Sequence, residues 1–368
     1  MRKLFVSFIL LVFMIGCKTG HQEGFQYNFS VDPVAVDQPE YESMVKSIEY
    51  IPLETTKKSL VGDVTSLYVA YGRIYINSDR KKVLCFGEDG KFLFKIGNRG
   101  RGNGEYISPF SISVENGIVY VLCQHTGRLL CYDASTGKYL KTISLQNTYM
   151  QVVVSDGYIY AVDMVSKPFA IDSMPLDNPE KKTEIYTSAK GEYIYSSFQQ
   201  LFQSSKGGCY WVDPLRGRVY ELKDGGMIPF IDIDFGMKEH KDKDLLAGEY
   251  TSDNEMVSGI SDFYRVGDKC VLKFAGGDKD MHTLIIDLQN GEILNIGSMS
   301  YKKVKYPESI YKARPFGIVS ADSRFYTYRL SSYYDECGDL PAAYASYSRM
   351  KGMDPKKDNI TIVAFELK

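Results

Sequence analysis

Residues 66–79 read SLYVAYGRIYINSD, residues 111–124 SISVENGIVYVLCQ, and residues 151–163 QVVVSDGYIYAVD. Laid over one another through the turn, the three need no gap. Each has an apolar run, a turn holding Gly, Asn or Asp, and a second run rich in Val, Ile and Tyr. That pattern reads as a β-hairpin, because these turn residues tolerate the left-handed backbone a tight turn demands. Looser copies at 201–213 (LFQSSKGGCYWVD), 263–274 (FYRVGDKCVLKF) and 317–330 (GIVSADSRFYTYRL) bring the count to six.

A second hairpin follows in most units: VLCFGEDGKFLFKI, LLCYDASTGKYLKTI, RVYELKDGGMIPFIDI and HTLIIDLQNGEILNI. Two hairpins make a four-stranded unit, and its recurrence every ~40–60 residues is the period of propeller blades. The sequence therefore predicts an all-β, six-bladed β-propeller. The last unit is one strand short, since NITIVAFELK at the C-terminus supplies only its third. The strand-like VKSIEYIPLE at 45–54 is expected to close the ring as the outermost strand of that blade, which ties the termini together and removes an edge.

The chain begins MRKLFVSFILLVFMIGC. Arg2 and Lys3 precede an apolar stretch from Leu4 to Ile15. At about a dozen residues it is too short to span a bilayer as a helix and suits the core of a secretion signal. Met14-Ile15-Gly16-Cys17 resembles the bacterial lipobox, whose cysteine is lipidated and becomes the new N-terminus, with Met where Leu is usual. The expected organisation is a signal peptide at 1–16, lipidated Cys17 and a tether at 17–44, and the propeller at 45–368.

GRGNGEYISPFSISVENGIVYV, followed by a basic residue, an apolar strand and a Gly-containing turn, resembles the NHL-repeat pattern. Together with the lipobox, YIPLE and the closing DNITIVAFELK, it is similar to the six-bladed propeller lipoproteins of Bacteroides-like bacteria. The resemblance implies a cell-envelope protein held at the outer membrane, on its periplasmic side or at the cell surface. It implies membrane contact through the lipid anchor alone.

The formal net charge of −2 argues against a nucleic-acid partner. Six cysteines remain beyond Cys17, at 85, 123, 131, 209, 270 and 337, without the C-x-x-C spacing of zinc or redox sites. Five lie in apolar strand-like runs and read as buried thiols rather than a disulfide framework. Asp79, Asp163 and Asp213 occupy one place in successive blades, which suits turn-backbone satisfaction better than metal binding. The four histidines are scattered, Trp211 reads as core, and no cofactor or metal is expected.

The loop KIGNRGRGNGEYISPFSI at 95–112 has a nucleotide loop's glycines, but a strand follows it instead of a helix. Its glycines are expected to turn the chain from rim to channel, leaving Arg99 and Arg101 available to hold a carboxylate or phosphate unless Glu105 neutralises one. Most hairpin turns on one face are tight. The opposite face gathers the long connections, at 189–198, 234–261, 298–315 and 331–358. Function is expected there. The candidate ligand-binding set is Arg99, Arg101, Tyr106, Tyr193, Arg265, Tyr311 and Arg314. The expectation is a non-catalytic binding or interaction module for a protein or glycan. The alternative is an NHL-like lyase or hydrolase with Asp, Glu, Tyr or His converging at the channel mouth.

Overall fold

The computed structural model describes residues 24–37, 41–123, 126–163, 169–188, 200–204, 208–213, 216–236, 260–275, 281–296, 319–321, 323–329, 353 and 357–368. Six small antiparallel sheets carry the chain. Blade one runs from Val64–Ala70 to Phe92–Ile96, blade two from Ile112–Glu115 to Tyr139–Ser144, and blade three from Gln151–Ser155 to Thr183–Thr187. Blade four spans Leu201–Gln203 to Gly226–Asp234 and blade five Ile260–Val266 to Ile293–Asn295. Blade six is Val319–Ala321, Arg324–Arg329 and Thr361–Leu367, completed by Val45–Pro52. Each innermost strand touches that of the next blade, and Val319–Ala321 returns to Val64–Ala70. The protein is a six-bladed β-propeller.

Ring closure follows the sequence expectation. Val45–Pro52 pairs antiparallel with Thr361–Leu367, with Tyr50 opposite Val363. Hairpin turns confirm the aligned repeats. Tyr71-Gly72, Asn116-Gly117 and Asp156-Gly157 all have positive φ at both positions, as a two-residue turn between twisted strands requires.

Alternating apolar residues of adjacent blades form the core. Trp211 is buried between Tyr220 and Phe169, with ring centroids 5.1 and 6.4 Å away. Side chains of this size contribute about 1.5–3 kcal/mol or more each on burial. Cys85, Cys123, Cys131, Cys209 and Cys270 are free and buried within these layers.

Near the axis, polar side chains satisfy strand edges that would otherwise lack partners. Ser111 Oγ accepts the Val152 N–H at 3.2 Å and Ser113 Oγ that of Val154 at 3.1 Å. Gln151 Oε1 accepts from Gln200 N and Leu201 N at 2.9 and 3.0 Å. Gln203 of blade four donates to Val114 O and Val154 O at 3.2 and 3.1 Å, tying blades two, three and four together.

One element departs from expectation. Residues 24–37, inside the stretch expected to be a tether, form a docked strap. Tyr27–Ser30 adds parallel to the outer strand of blade four, with Tyr27 opposite Ile231. Phe25 packs on Tyr220 and Tyr27 on Phe230, at 5.3 and 5.4 Å. The strap then crosses to blade five, where the buried Asn295 donates to Ala35 O at 2.7 Å and Asp32 O at 3.3 Å. Among the described residues no helix is long and apolar enough to cross a membrane.

Candidate functional site

The connection from blade one to blade two is the longest described loop between blades, and its order has identifiable causes. Gly97 sits at φ 61°, and a Cβ there would lie 2.6 Å from Tyr132 Oη and 2.9 Å from the Tyr106 ring. Asn98–Arg99 then pairs parallel with Glu105–Tyr106 in a two-stranded bridge. Glu105 accepts the Gly102 N–H at 2.8 Å, and Tyr132 Oη donates to Gly104 O at 3.1 Å. Gly104 has φ 68°, and a Cβ on it would come within 2.5 Å of Tyr139 Cγ. Asn77 Nδ2 fixes the exit by donating to Pro109 O at 2.9 Å. The loop thus lies against the outer hairpin of blade two, in the cleft between the first two blades.

Within that frame Arg99 and Arg101 are exposed, and among the described residues neither has an ion-pair or hydrogen-bond partner. Glu105 does not neutralise them, because its carboxylate is turned back onto the Gly102 backbone. Ile107, Tyr139 and Leu140 are large exposed hydrophobics of the same junction. Two free guanidinium groups beside apolar surface suit carboxylate-bearing ligands.

Tyr106 has a different place from the arginines. It is 1% exposed, donates to Ile96 O at 2.8 Å and accepts the Val83 N–H at 3.1 Å. Burial pushes its hydroxyl up to about 12, so it stays protonated and pins the loop to blade one. Arg265 lies beside the tight turn at Gly267, away from the long connections. Its Nε donates to Gly267 O at 2.8 Å and its Nη1 to the Tyr210 hydroxyl at 2.9 Å. Its guanidinium also stands 5.0 Å from the Phe230 ring centroid. Cys17, Tyr193, Tyr311 and Arg314 lie outside the described residues, as do most of the four long connections.

The repeated aspartates serve the architecture. Asp79 accepts the Asp63 N–H at 2.9 Å, Asp163 accepts from Asn147 at 3.3 Å, and Asp213 pairs with Arg216 at 3.2 Å. Asp79 and Asp163 each hold a residue sixteen positions earlier, on the segment entering the innermost strand of the same blade.

Two titratable groupings, one buried and one part-buried, lie on or beside innermost strands. Asp262 accepts from the Tyr264 hydroxyl at 2.9 Å and from Ser261 at 2.8 Å, and stands opposite Lys273 in the ladder. Burial pushes Asp262 up and Lys273 down, each opposed by the other's charge. Burial also raises Glu115, while Gln203 donates to its carboxylate at 3.2 Å. Both groupings are internally hydrogen-bonded. Among the described residues, no three His, Cys, Asp or Glu side chains come together as metal ligands.

The sequence pattern missed Tyr139 and Leu140. Their signal was available: two consecutive apolar residues on an outer strand cannot both face a core.

Residues 28–348 match a family model described as a domain of unknown function, DUF4934. No curated protein matches the chain in sequence. Among solved structures, the chain is similar to a protein of Bacteroides fragilis described as exported. The TM-score is 0.69 at 14% identity, over 93% of this chain and 99% of that one. It is also similar to a member of the DUF4221 family from Bacteroides vulgatus. There the TM-score is 0.54 at 10% identity, over 88% of this chain and 97% of that one. At these identities the likeness is one of fold.

Proposed function

The chain belongs to the DUF4934 family, and from that premise we propose that it is a lipid-anchored, extracytoplasmic binding module for a protein or glycan ligand. The observation that carries this reading is the pair of exposed arginines, Arg99 and Arg101, without partners among the described residues, on a loop hydrogen-bonded to itself and to blades one and two. Rigid presentation lowers the ordering cost of binding, and unpaired guanidinium groups supply charge-assisted hydrogen bonds.

Placement supports the same reading. Six residues separate Cys17 from Gly24, where the described strap begins, so lipid at Cys17 lies within ~25 Å of blade four's rim. Blades follow one another in chain order around the ring, so blade four stands across from blade one and blade five across from blade two. The arginine loop lies across the ring from the strap, and on this reading away from the anchor. The exported description of the B. fragilis neighbour agrees with an extracytoplasmic site of action. The lipobox-like Met14–Cys17 stretch supports attachment at the outer membrane, facing either the periplasm or the exterior.

The test is capture of partners from native envelope by the lipidated chain and by an Arg99→Ala/Arg101→Ala variant with an unchanged unfolding midpoint. A ligand retained by the wild type and lost by the variant is the expected result. Equal capture by both overturns the assignment of binding to this loop.

A further inference from the structure

We propose that the outer edge of blade two, strand Tyr139–Ser144, receives an extended acidic segment of a partner polypeptide as an added strand, with Arg99 and Arg101 taking its carboxylates. The inference rests on the reading of the arginine loop as the binding side and names the ligand class and the mode of contact.

The first argument is an internal precedent. Blade four already accepts an extra strand on its outer edge, since Tyr27–Ser30 pairs parallel there through four consecutive positions. Propeller edges of this protein are thus competent for strand addition, a recognition mode in which backbone hydrogen bonds give affinity and flanking side chains give specificity.

The second argument is that the other edges are engaged or guarded. On blade one, the Phe92 N–H of the outer strand is donated to Glu54 at 2.9 Å. Blade five's outer strand is tied to the strap, with Asp37 N–H donating to Asn295 O at 2.7 Å and Asn295 N–H donating to Asp37 Oδ2 at 2.8 Å. Blade six's edge strand carries Lys46 and Glu49, each in an ion pair. Charges of this kind discourage pairing. The edge of blade three carries an exposed Glu184, which repels an acidic strand. Blade two's edge has no strand partner among the described residues. It also shows exposed Tyr139 and Leu140 at 38% and 50%.

The third argument is charge. Arg99, Arg101, Lys138 and Lys141 are exposed or part-exposed around this edge, and Gly104 of the arginine loop packs on Tyr139 itself. The nearby acids are engaged by donors of their own turns. Glu105 holds Gly102, and Asp133 accepts four hydrogen bonds from Ser135 and Thr136. An extended segment alternating acidic and apolar residues matches both features at once.

Amide hydrogen exchange on the mature chain tests this, with a capped alternating Asp/Val peptide as probe and its Asn/Val counterpart as control. The Asp/Val peptide is expected to slow exchange within Tyr139–Ser144 and not at Thr183–Thr187. Arg99→Ala/Arg101→Ala and, separately, Leu140→Glu should each weaken this about tenfold. Leu140 is half exposed, so the glutamate tests repulsion without a core change. No slowing up to millimolar peptide, or slowing that survives both variants, overturns the proposal. Arginine-dependent binding without slowing at 139–144 would refute strand addition while leaving the loop as the binding side. Arginine-independent slowing would refute the part given to Arg99 and Arg101 here and in the proposed function.

Discussion

The strap at 24–37 and the loop at 97–109 are both additions to a repeated blade, similar in length and docked on opposite sides of the ring. They use their polar groups in opposite ways. In the strap, Asp37 and the carbonyls of Asp32 and Ala35 all bond to Asn295, and Tyr27 and Phe29 lie against blade four. In the loop, Glu105 and Tyr106 hold the backbone, while Arg99 and Arg101 are left to solvent. The strap exposes Gln26 and Asn28, but its contacts with Asn295 and blade four are those of a segment that completes the scaffold. The loop is also well held yet keeps two exposed cations, which on the proposed reading makes it the binding side.

Removing the clamp should break this contrast most severely. Asn295→Ala leaves two strap carbonyls and His282 Nδ1 without their partner. The expected loss is about 2–4 kcal/mol in urea unfolding, together with new proteolytic cleavage within 24–37. On the other side, Gly104→Ala places a Cβ into the Tyr139 ring at a left-handed backbone. It should cost about 1–3 kcal/mol and weaken ligand capture although both arginines remain. Tyr106→Phe removes the two bonds that pin the loop to blade one. An expected loss of about 1–2 kcal/mol would appear as faster amide exchange across 97–106.

Thiols under the two regions report on them separately. Cys85 and Cys131 lie in blades one and two and Cys270 in blade five, and burial pushes them up to about 12, 11 and 12. In the unfolded chain these groups ionise near 9, so stability is whole below that pH. It falls as pH climbs through 11–12, because only the unfolded state releases the protons readily. Alkylation at neutral pH should therefore require opening. Asn295→Ala should speed modification of Cys270 more than that of Cys85, as peptide mapping would show. The smallest effect on stability is expected from Arg99→Ala/Arg101→Ala, within about 0.5 kcal/mol, since exposed side chains without partners support nothing in the fold.

The propeller was legible because its signal repeats. Three gapless hairpins and a matched set of aspartates over-determine the blade, and VKSIEYIPLE completed a strand count that was one short. The strap was not legible for the opposite reason. Tyr27–Ser30 is a single four-residue strand whose partner lies some two hundred residues away. The alternation in FQYNFSV at 25–31 is the one local cue. At the site, Arg99 and Arg101 were found through their glycines. Tyr106 and Arg265 looked equivalent in sequence, where a tyrosine that seals a core reads the same as one that faces solvent. Only the packing of Tyr106 under Val83 and of Arg265 over Phe230 separates them from the exposed pair.

The most direct measurement is photo-crosslinking in native envelope from a reactive side chain at position 101, beside the same group at position 34. Val34 is 57% exposed on the strap and serves as the matched site on the proposed anchor side. The account predicts a discrete adduct from position 101, suppressed by Arg99→Ala, and none of that identity from position 34. The same adduct from both positions, or from 34 alone, would contradict the division of the ring into an anchoring side and a binding side.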